Sequence, residues 1–459
     1  MTIAKELARR VKAFRFDDLP EDAVTWAKIG ILDTVAVTLA GAHEDCVRIA
    51  EKVNGAQDGP SLVFGSNRRA GPLDAAFLNG VASHALDFDD LGQTIGGHPS
   101  VPLVPAIIAL GEAEGASGQD MITAYVAGFE AQSAIARAAN FYHYERGWHP
   151  TATLGIFGTV AASARILDLT EDETATALGV AVSLASGVKA NFGSMTKPLH
   201  VGQMSRNGVM AALLAREGFT AEAQAFEHHQ GFFNVFNGPG NFDAKRIFEN
   251  WGEPLDIVDP GLGLKQFPCC GCTHAAINCM LELARGGLKA EDVSEIEILV
   301  HPRCLPHTNK PAPQTGLEGK FSIQYTTVRA LTDGRVGFDH FEDAAVTDKE
   351  VRGLLSLVRA VEHPDMPADS KEQFGAEVVV TTKGGQKLTS RIDHQIGRGI
   401  PNPMSRDELW DKFRDCASRA LAEPQIQPVF EMLLDLDKVE NATHLTGAIA
   451  TELLREAGE

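Results

Sequence analysis

Positive charge is scarce in this chain: 41 Lys and Arg stand against 61 Asp and Glu, a formal net charge of −20. Phosphate contacts need clustered cations, so the balance argues against nucleic acid and acidic membrane surfaces as partners. A small anion remains compatible, because a few Lys and His can set the potential of one pocket inside an acidic protein. No uninterrupted apolar run approaches the roughly 18 to 20 residues of a membrane span. The Ala4 to Phe14 segment carries Lys5, Arg9, Arg10 and Lys12 at helical spacing in place of a secretory apolar stretch, and the resulting expectation is a cytoplasmic chain with no membrane partner. Seven cysteines, an odd number, fit reduced thiols better than a disulfide framework. There is no Gly-x-x-x-x-Gly-Lys-Ser/Thr, no Gly-x-Gly-x-x-Gly after a strand and no Gly-x-Ser-x-Gly, which removes nucleotide cofactors and serine hydrolysis. Cys269-Cys270-Gly271-Cys272 with His274 is half of a zinc or iron–sulfur site. No second Cys-x-x-Cys completes it, and Cys279, Cys304, His301 and His307 fall at irregular spacings, so no metal is expected.

What the chain does have is length and apolar content, 459 residues at 44% hydrophobic, enough for two or more domains with their own cores. Between residues 20 and 240 apolar residues recur at three- and four-residue spacing, predicting helices over Ala23–Leu39, Val101–Gly111, Met121–Ala138, Leu154–Leu167 and Asn207–Ala215. Small residues such as Gly155, Gly158, Ala161 and Ala162 let helix axes approach closely. After about Gly263 the texture changes. Val293–Val300 alternates as a half-buried strand, and Glu377–Thr382, Gly384-Gly385 and Leu388–Ile392 read as a hairpin. Helices return from Asn402 onward, with Ser405 and Glu408 spaced as a capping box. The expected architecture is mostly α, with an all-helical domain over 1–262 and 400–459 and a smaller α+β domain over 263–399.

The densest chemistry lies in residues 84 to 100, His84-Ala-Leu-Asp87-Phe-Asp89-Asp90, a linker, then His98-Pro99-Ser100. Three carboxylates and two imidazoles in seventeen residues exceed what a helical core segment needs. The His-Pro-Ser grouping returns as Trp148-His149-Pro150-Thr151, and both copies precede apolar runs, placing each His ahead of a helix start. Pro favours the first helical position, Ser and Thr serve as caps, and the free N–H groups attract anions, which suggests a carboxylate or phosphate ligand. Read as helix, His84, Asp87 and Asp90 share a face, and carboxylates beside an imidazole can raise each other's proton affinity and act as acid or base. Taken singly, each residue has a plainer explanation: the aspartates as an exposed cap, the histidines bonded to backbone, Lys197 and Lys265 as surface cations, Tyr325 as core, Arg206 as half of a core ion pair.

Together with Gly193-Ser-Met-Thr-Lys197-Pro198-Leu-His200, Lys265-Gln-Phe-Pro268-Cys269 and Lys320-Phe321-Ser-Ile-Gln-Tyr325, in that order along the chain, these residues strongly resemble the MmgE/PrpD family. That family includes 2-methylcitrate dehydratase, cis-aconitate decarboxylase and iminodisuccinate epimerase. The resemblance implies an α+β lid domain inserted into the helical one, a homodimer, no cofactor, and a small di- or tricarboxylate substrate. Aconitase performs a related dehydration with an iron–sulfur cluster, whereas the resembled family does without one. Residue by residue, the resemblance gives catalytic roles to Asp87, His98, His149, Lys197 and Tyr325 and places Lys265 on the substrate. His200, Arg206 and His274 are further candidate substrate contacts, while Asp89 and Asp90 are expected to be structural. The decarboxylase has a threonine where Leu91 stands, and Thr94 of the linker is the expected substitute. The linker length and the Gly-Trp-His-Pro-Thr stretch look closer to the epimerase. The expected reaction is therefore dehydration first, epimerisation next and decarboxylation third, all by proton removal or delivery beside a carboxylate. A non-catalytic carboxylate-binding protein is the alternative of another class.

Overall fold

The computed structural model describes residues 1–55, 57–367, 375–393 and 397–450. The chain divides into two units, Met1–Leu262 with Pro403–Glu459, and Gly263–Asn402. The architecture is mostly α with a smaller strand-containing unit, as expected from the apolar spacing.

In the first unit the principal helices are Glu21–Gly41, Pro72–His84, Val104–Glu114, Gly118–Ala139, Gly155–Ile166, Glu171–Leu184 and Thr196–Arg216, joined after the return by Arg406–Ala417 and Glu423–Leu434. Their starts are written locally. Ser117 with Asp120, Thr170 with Glu173 and Ser405 with Glu408 each form a capping box that satisfies otherwise orphaned N–H groups. Small residues then set how closely the helices pack. A Cβ on Gly202 would lie 2.5 Å from the Phe77 carbonyl oxygen, and one on Gly80 would lie 2.7 Å from the Gly202 Cα, so the helices Thr196–Arg216 and Pro72–His84 touch backbone to backbone. This contact brings the His84 end of one helix beside the Lys197 end of the other.

Helix Glu21–Gly41 has an average hydropathy and length that would suit a membrane span, although Lys28 and Asp33 interrupt its sequence; 78% of the apolar window is buried inside the unit, as in a core helix. Its buried Asp33 pairs with Lys412 of the Arg406–Ala417 helix.

In the second unit a four-stranded sheet runs in the order Val358–Glu362, Val293–Val300, Ala376–Thr382, Lys387–Ile392. The first pair is parallel and the other two antiparallel. Ile296, Ile298 and Val300 alternate onto the buried face, where they join Val378, Val380, Ile277 and Met280 in the core with helices His274–Arg285 and Ile323–Asp333. The expected Val293–Val300 strand and the hairpin after Glu377 are both present.

Candidate active site

The segment after His84 is not helical. The Pro72–His84 helix stops at His84, and Asp87 has φ +55°, a left-handed conformation that Asp tolerates better than most residues. The expected helical face shared by His84, Asp87 and Asp90 is therefore replaced by a tight loop that turns three carboxylates in different directions. Asp87 meets Lys197, which is in the first turn of the Thr196–Arg216 helix and forms an ion pair with it. Asp89 turns back to the helix end, with Oδ2 2.7 Å from His84 Nδ1 and 3.0 Å from His98 Nδ1. Asp90 faces the other way, into the core, where Ser100 donates to it and lies 2.5 Å from the Tyr125 hydroxyl. Beneath the loop, Lys412 donates to the Phe88 carbonyl at 3.1 Å and lies 4.1 Å from the Phe88 ring centre, so a residue 324 positions away braces the turn.

The two His-Pro groupings meet in space. The His98 N–H donates to Thr151 Oγ1 at 3.0 Å, and Gly97 must be glycine because a Cβ there would lie 2.6 Å from the same oxygen. Thr151 and Ser100 thus position His98 and Asp90, not the helix caps expected of them. His149 does precede a helix, but one of only four residues, Pro150–Thr153. Its own N–H donates to the Gly187 carbonyl at 3.0 Å. Gly187, at φ +125°, leaves room for the His200 ring, whose Cγ would stand 3.3 Å from a Cβ. His149 and His200 face each other with Nδ1 atoms 3.2 Å apart. His200 follows Lys197 by three residues, on one helical face. The result is a cluster of four imidazoles: His84 lies edge-on to His98 at 4.7 Å and stacks on His149 at 5.7 Å. Phe192 closes one side, 4.8 Å from His149 and 5.3 Å from the Lys197 ammonium.

Burial governs the charges. His84 is fully enclosed, and this drives its affinity for a proton down to about 4 in spite of Asp89. Burial would raise the Asp89 carboxyl, but the His84 and His98 imidazoles outweigh it and hold the group well below the usual carboxylate range, so it is ionised. His149 is pushed well below the ordinary imidazole value by burial, reinforced by His84, Lys197, His98 and His200. His200 is lowered by burial and then by Lys197. Asp90 goes the other way, up to about 8, because burial dominates the opposing Ser100 hydrogen bond and the nearby Asp33 and Asp89 charges add to it. The cluster therefore mixes neutral imidazoles, an ionised carboxylate and an ammonium ion within a few ångströms, the arrangement from which acid/base pairs are made.

Ligand atoms of His84, Asp87, Asp89 and His98 all lie within 4.8 Å of one another, and two imidazoles with two carboxylates could hold a divalent ion of the zinc or manganese kind. The ammonium of Lys197 already stands on Asp87, one of those four.

Of the residues singled out from sequence, the first unit brings together Asp87, His98, His149, Lys197 and His200. It does not bring Arg206 or Thr94 to them. Arg206 donates to Asn54 at 2.9 Å and lies 3.8 Å from Asp74, which is ten residues and about 15 Å along its helix from His84. Thr94 donates to Asp256 at 2.8 Å, a carboxyl that burial raises to about 6 against the Ser133 and Thr94 hydrogen bonds. Its hydroxyl is thus engaged elsewhere and does not stand in for the threonine missing at Leu91. Lys265, His274 and Tyr325 belong to the second unit, and all three are buried. The Tyr325 hydroxyl donates to the His340 carbonyl and accepts from Arg329 Nε at 3.1 Å. His274 packs edge-on to Phe267 at 5.3 Å. The cluster also contains two side chains not anticipated as site residues, His84 and Asp89. Five residues apart, they are not neighbours on a helix, and only the break after His84 could have signalled their pairing.

Comparison with known proteins agrees with this picture. Residues 5–245 match the MmgE/PrpD N-terminal domain and residues 267–436 the MmgE/PrpD C-terminal domain. Cis-aconitate decarboxylase of Homo sapiens is 29% identical over 463 residues, covering 97% of this chain and 94% of that protein. The cis-aconitate decarboxylase of Aspergillus terreus (strain NIH 2624 / FGSC A1156) is 25% identical over 478 residues, 96% of this chain and 95% of that one. The 2-methylcitrate dehydratase of Escherichia coli (strain K12) is 24% identical over 403 residues, 82% of each. With both domain models matched in order across most of its length, the chain belongs to the MmgE/PrpD family.

Proposed function

We propose that this protein is a lyase that exchanges a proton at a carbon beside a carboxylate of a small di- or tricarboxylate, with lysine and imidazole supplying the positive charge in place of a metal ion. The observation that carries this reading is Asp87, paired with Lys197 and 3.8 Å from His98 Nε2 inside a buried cluster. A carboxylate-binding protein needs cations, but gains nothing from a carboxylate aimed at them; an acid/base enzyme needs both. In the reaction, His98 Nε2 takes the proton as the C–H bond breaks, and the electron pair delocalises into the substrate carboxylate as an enediolate. Lys197 offsets the charge that builds up, and His149 binds a carboxylate through Nε2, which has no hydrogen-bond partner among the described residues. In dehydration the adjacent C–O bond then breaks and hydroxide leaves as water, taking the proton that His98 removed, relayed through Asp87. In decarboxylation no C–H bond breaks first: the C–C bond to a carboxylate breaks, carbon dioxide leaves, and the electron pair left on the substrate carbon takes a proton from His98, which starts this reaction as the imidazolium.

The greater identity and coverage of the decarboxylases makes decarboxylation of a cis-aconitate-like substrate the second reading and raises it above epimerisation. Leu91, which carries no hydroxyl where the decarboxylase has a threonine, opposes it, and Thr94 is committed to Asp256. Proton NMR in deuterated water of the EDTA-treated protein, given 2-methylcitrate, cis-aconitate or iminodisuccinate separately, tests the reading. Exchange beside a carboxylate together with product from one substrate supports it and names the reaction. Tight binding with no exchange on all three would favour the carboxylate-binding protein.

A further inference from the structure

Asp89 has no part in the chemistry just assigned, yet it is the carboxylate most enclosed by imidazoles. Its side chain is fully buried, with one oxygen 2.7 Å from His84 Nδ1 and 3.0 Å from His98 Nδ1. The other oxygen has no hydrogen-bond partner among the described residues. An enclosed carboxylate is tolerable only when donors face it, so His84 Nδ1 carries its proton toward Asp89, and His98 Nδ1 stands beside the same oxygen at ion-pair distance. For His98 a different contact places the proton. Its Nδ1 lies 2.7 Å from the Asp90 carbonyl oxygen, which can only accept. The His98 Nδ1 proton is held by the Asp90 carbonyl, which sets the ring orientation, while the Asp89 carboxylate beside it supplies charge. That leaves Nε2 as the open position, aimed at Asp87. His84 occupies the second site on the same carboxylate oxygen and keeps Asp89 fixed whichever protonation state His98 adopts.

We propose that Asp89 is a positioning residue for proton transfer, the buried charge, fixed by His84, that stands beside the His98 Nδ1 oriented by the Asp90 carbonyl and stabilises the imidazolium formed when His98 takes a proton at Nε2. This rests on the acid/base reading for its kinetic consequence alone, because the ring geometry belongs to the free protein. A carboxylate behind a catalytic imidazole acts in this way when the ring must cycle between neutral and charged forms.

The test uses the full chain labelled with 15N-histidine, with His98 assigned by the signal lost in His98→Gln. In the unsubstituted protein above pH 8, His98 is expected as the Nδ1–H tautomer. In Asp89→Asn its titration is expected to move to lower pH by about one unit or more. In the same variant kcat is expected to fall on the order of 10²- to 10³-fold with KM within about threefold, and the imidazole limb of the kcat/KM profile to move down in pH with the NMR titration. A purely structural Asp89 would lower the melting temperature but leave the titration and the pH limb in place, and that outcome overturns the proposal. An Nε2–H tautomer in the unsubstituted protein overturns it too, and does so even if Asp89→Asn does not fold. If none of the three carboxylates is turned over, the NMR titration still decides the role of Asp89 while the proposed function fails separately.

Discussion

Replacing Asp87 with Asn tests the centre of the site most cleanly, because it removes the charge and little else. The residue sits at φ +55°, where Asn is about as well tolerated as Asp, while Ala would add about 1 kcal/mol of backbone strain unrelated to chemistry. Electrostatically the change is large. Lys197 and Asp87 have side chains only 10% and 11% exposed, so the ammonium would be left among imidazoles with its counter-ion gone. Breaking a buried pair from one side costs about 3 to 5 kcal/mol. Here relief of the repulsion between Asp87 and Asp89 and the remaining solvent contact reduce the loss to about 2 kcal/mol, still readable as a lower urea midpoint at unchanged slope. Activity is expected to fall much further, on the order of 10²- to 10⁴-fold, because both the proton partner of His98 and the anchor that orients Lys197 are lost. The assay is α-proton exchange and product formation followed together by NMR in deuterated water. Exchange retained within about threefold of the unsubstituted protein would refute the assignment of Asp87 to the reaction.

The remaining expectations concern pH and packing. Because the folded-state affinity of Asp90 is raised to about 8 from 3.8, the folded chain holds a proton the unfolded chain has lost between those values, and Asp90 makes stability decline as pH rises through that window. Asp90→Asn should flatten the fall in melting temperature between pH 5 and about 8.5; an unchanged slope would mean another group is responsible. His84 works at the other end: its value is depressed to about 4, so its contribution is present above the unfolded imidazole value near 6.5 and is lost as pH drops toward 4. Gly202→Ala places a methyl group 2.5 Å from the Phe77 carbonyl oxygen and from a Val81 methyl, and should cost about 1 to 3 kcal/mol by chemical denaturation; a neutral result would mean the helices separate freely. Thr94→Val should lose about 1 kcal/mol of stability through its Asp256 hydrogen bond while leaving KM within about twofold, and a large rise in KM would restore Thr94 as a substrate contact.

Much of the scaffold was legible because its signals are local. Ser405 and Glu408 announce a helix start whatever surrounds them, the apolar spacing from Ala23 to Leu39 reports a helix observed over Glu21–Gly41, and the alternation of Val293–Val300 reports a strand with one buried face. Spacing failed where the backbone left its period. The helix expected through His84, Asp87 and Asp90 ends at His84, and the turn at Asp87 is what separates the three carboxylates into one facing Lys197, one facing two imidazoles and one facing Ser100.

Residue type and order alone determined the family, the mostly helical architecture and a set of acid/base side chains rich enough to do chemistry. Partnership was decided only by the tertiary structure. Thr94 and Arg206 carry the right groups for a carboxylate, but Asp256, Asn54 and Asp74 reach them first. Asp89 was expected to be structural and His84 was not among the candidate site residues, but the loop pairs them inside the cluster, and Lys412 braces that loop from 324 residues away. The reason is physical: a hydrogen bond or ion pair acts over about 3 Å, while distance along a sequence says nothing about which groups folding will bring within that range.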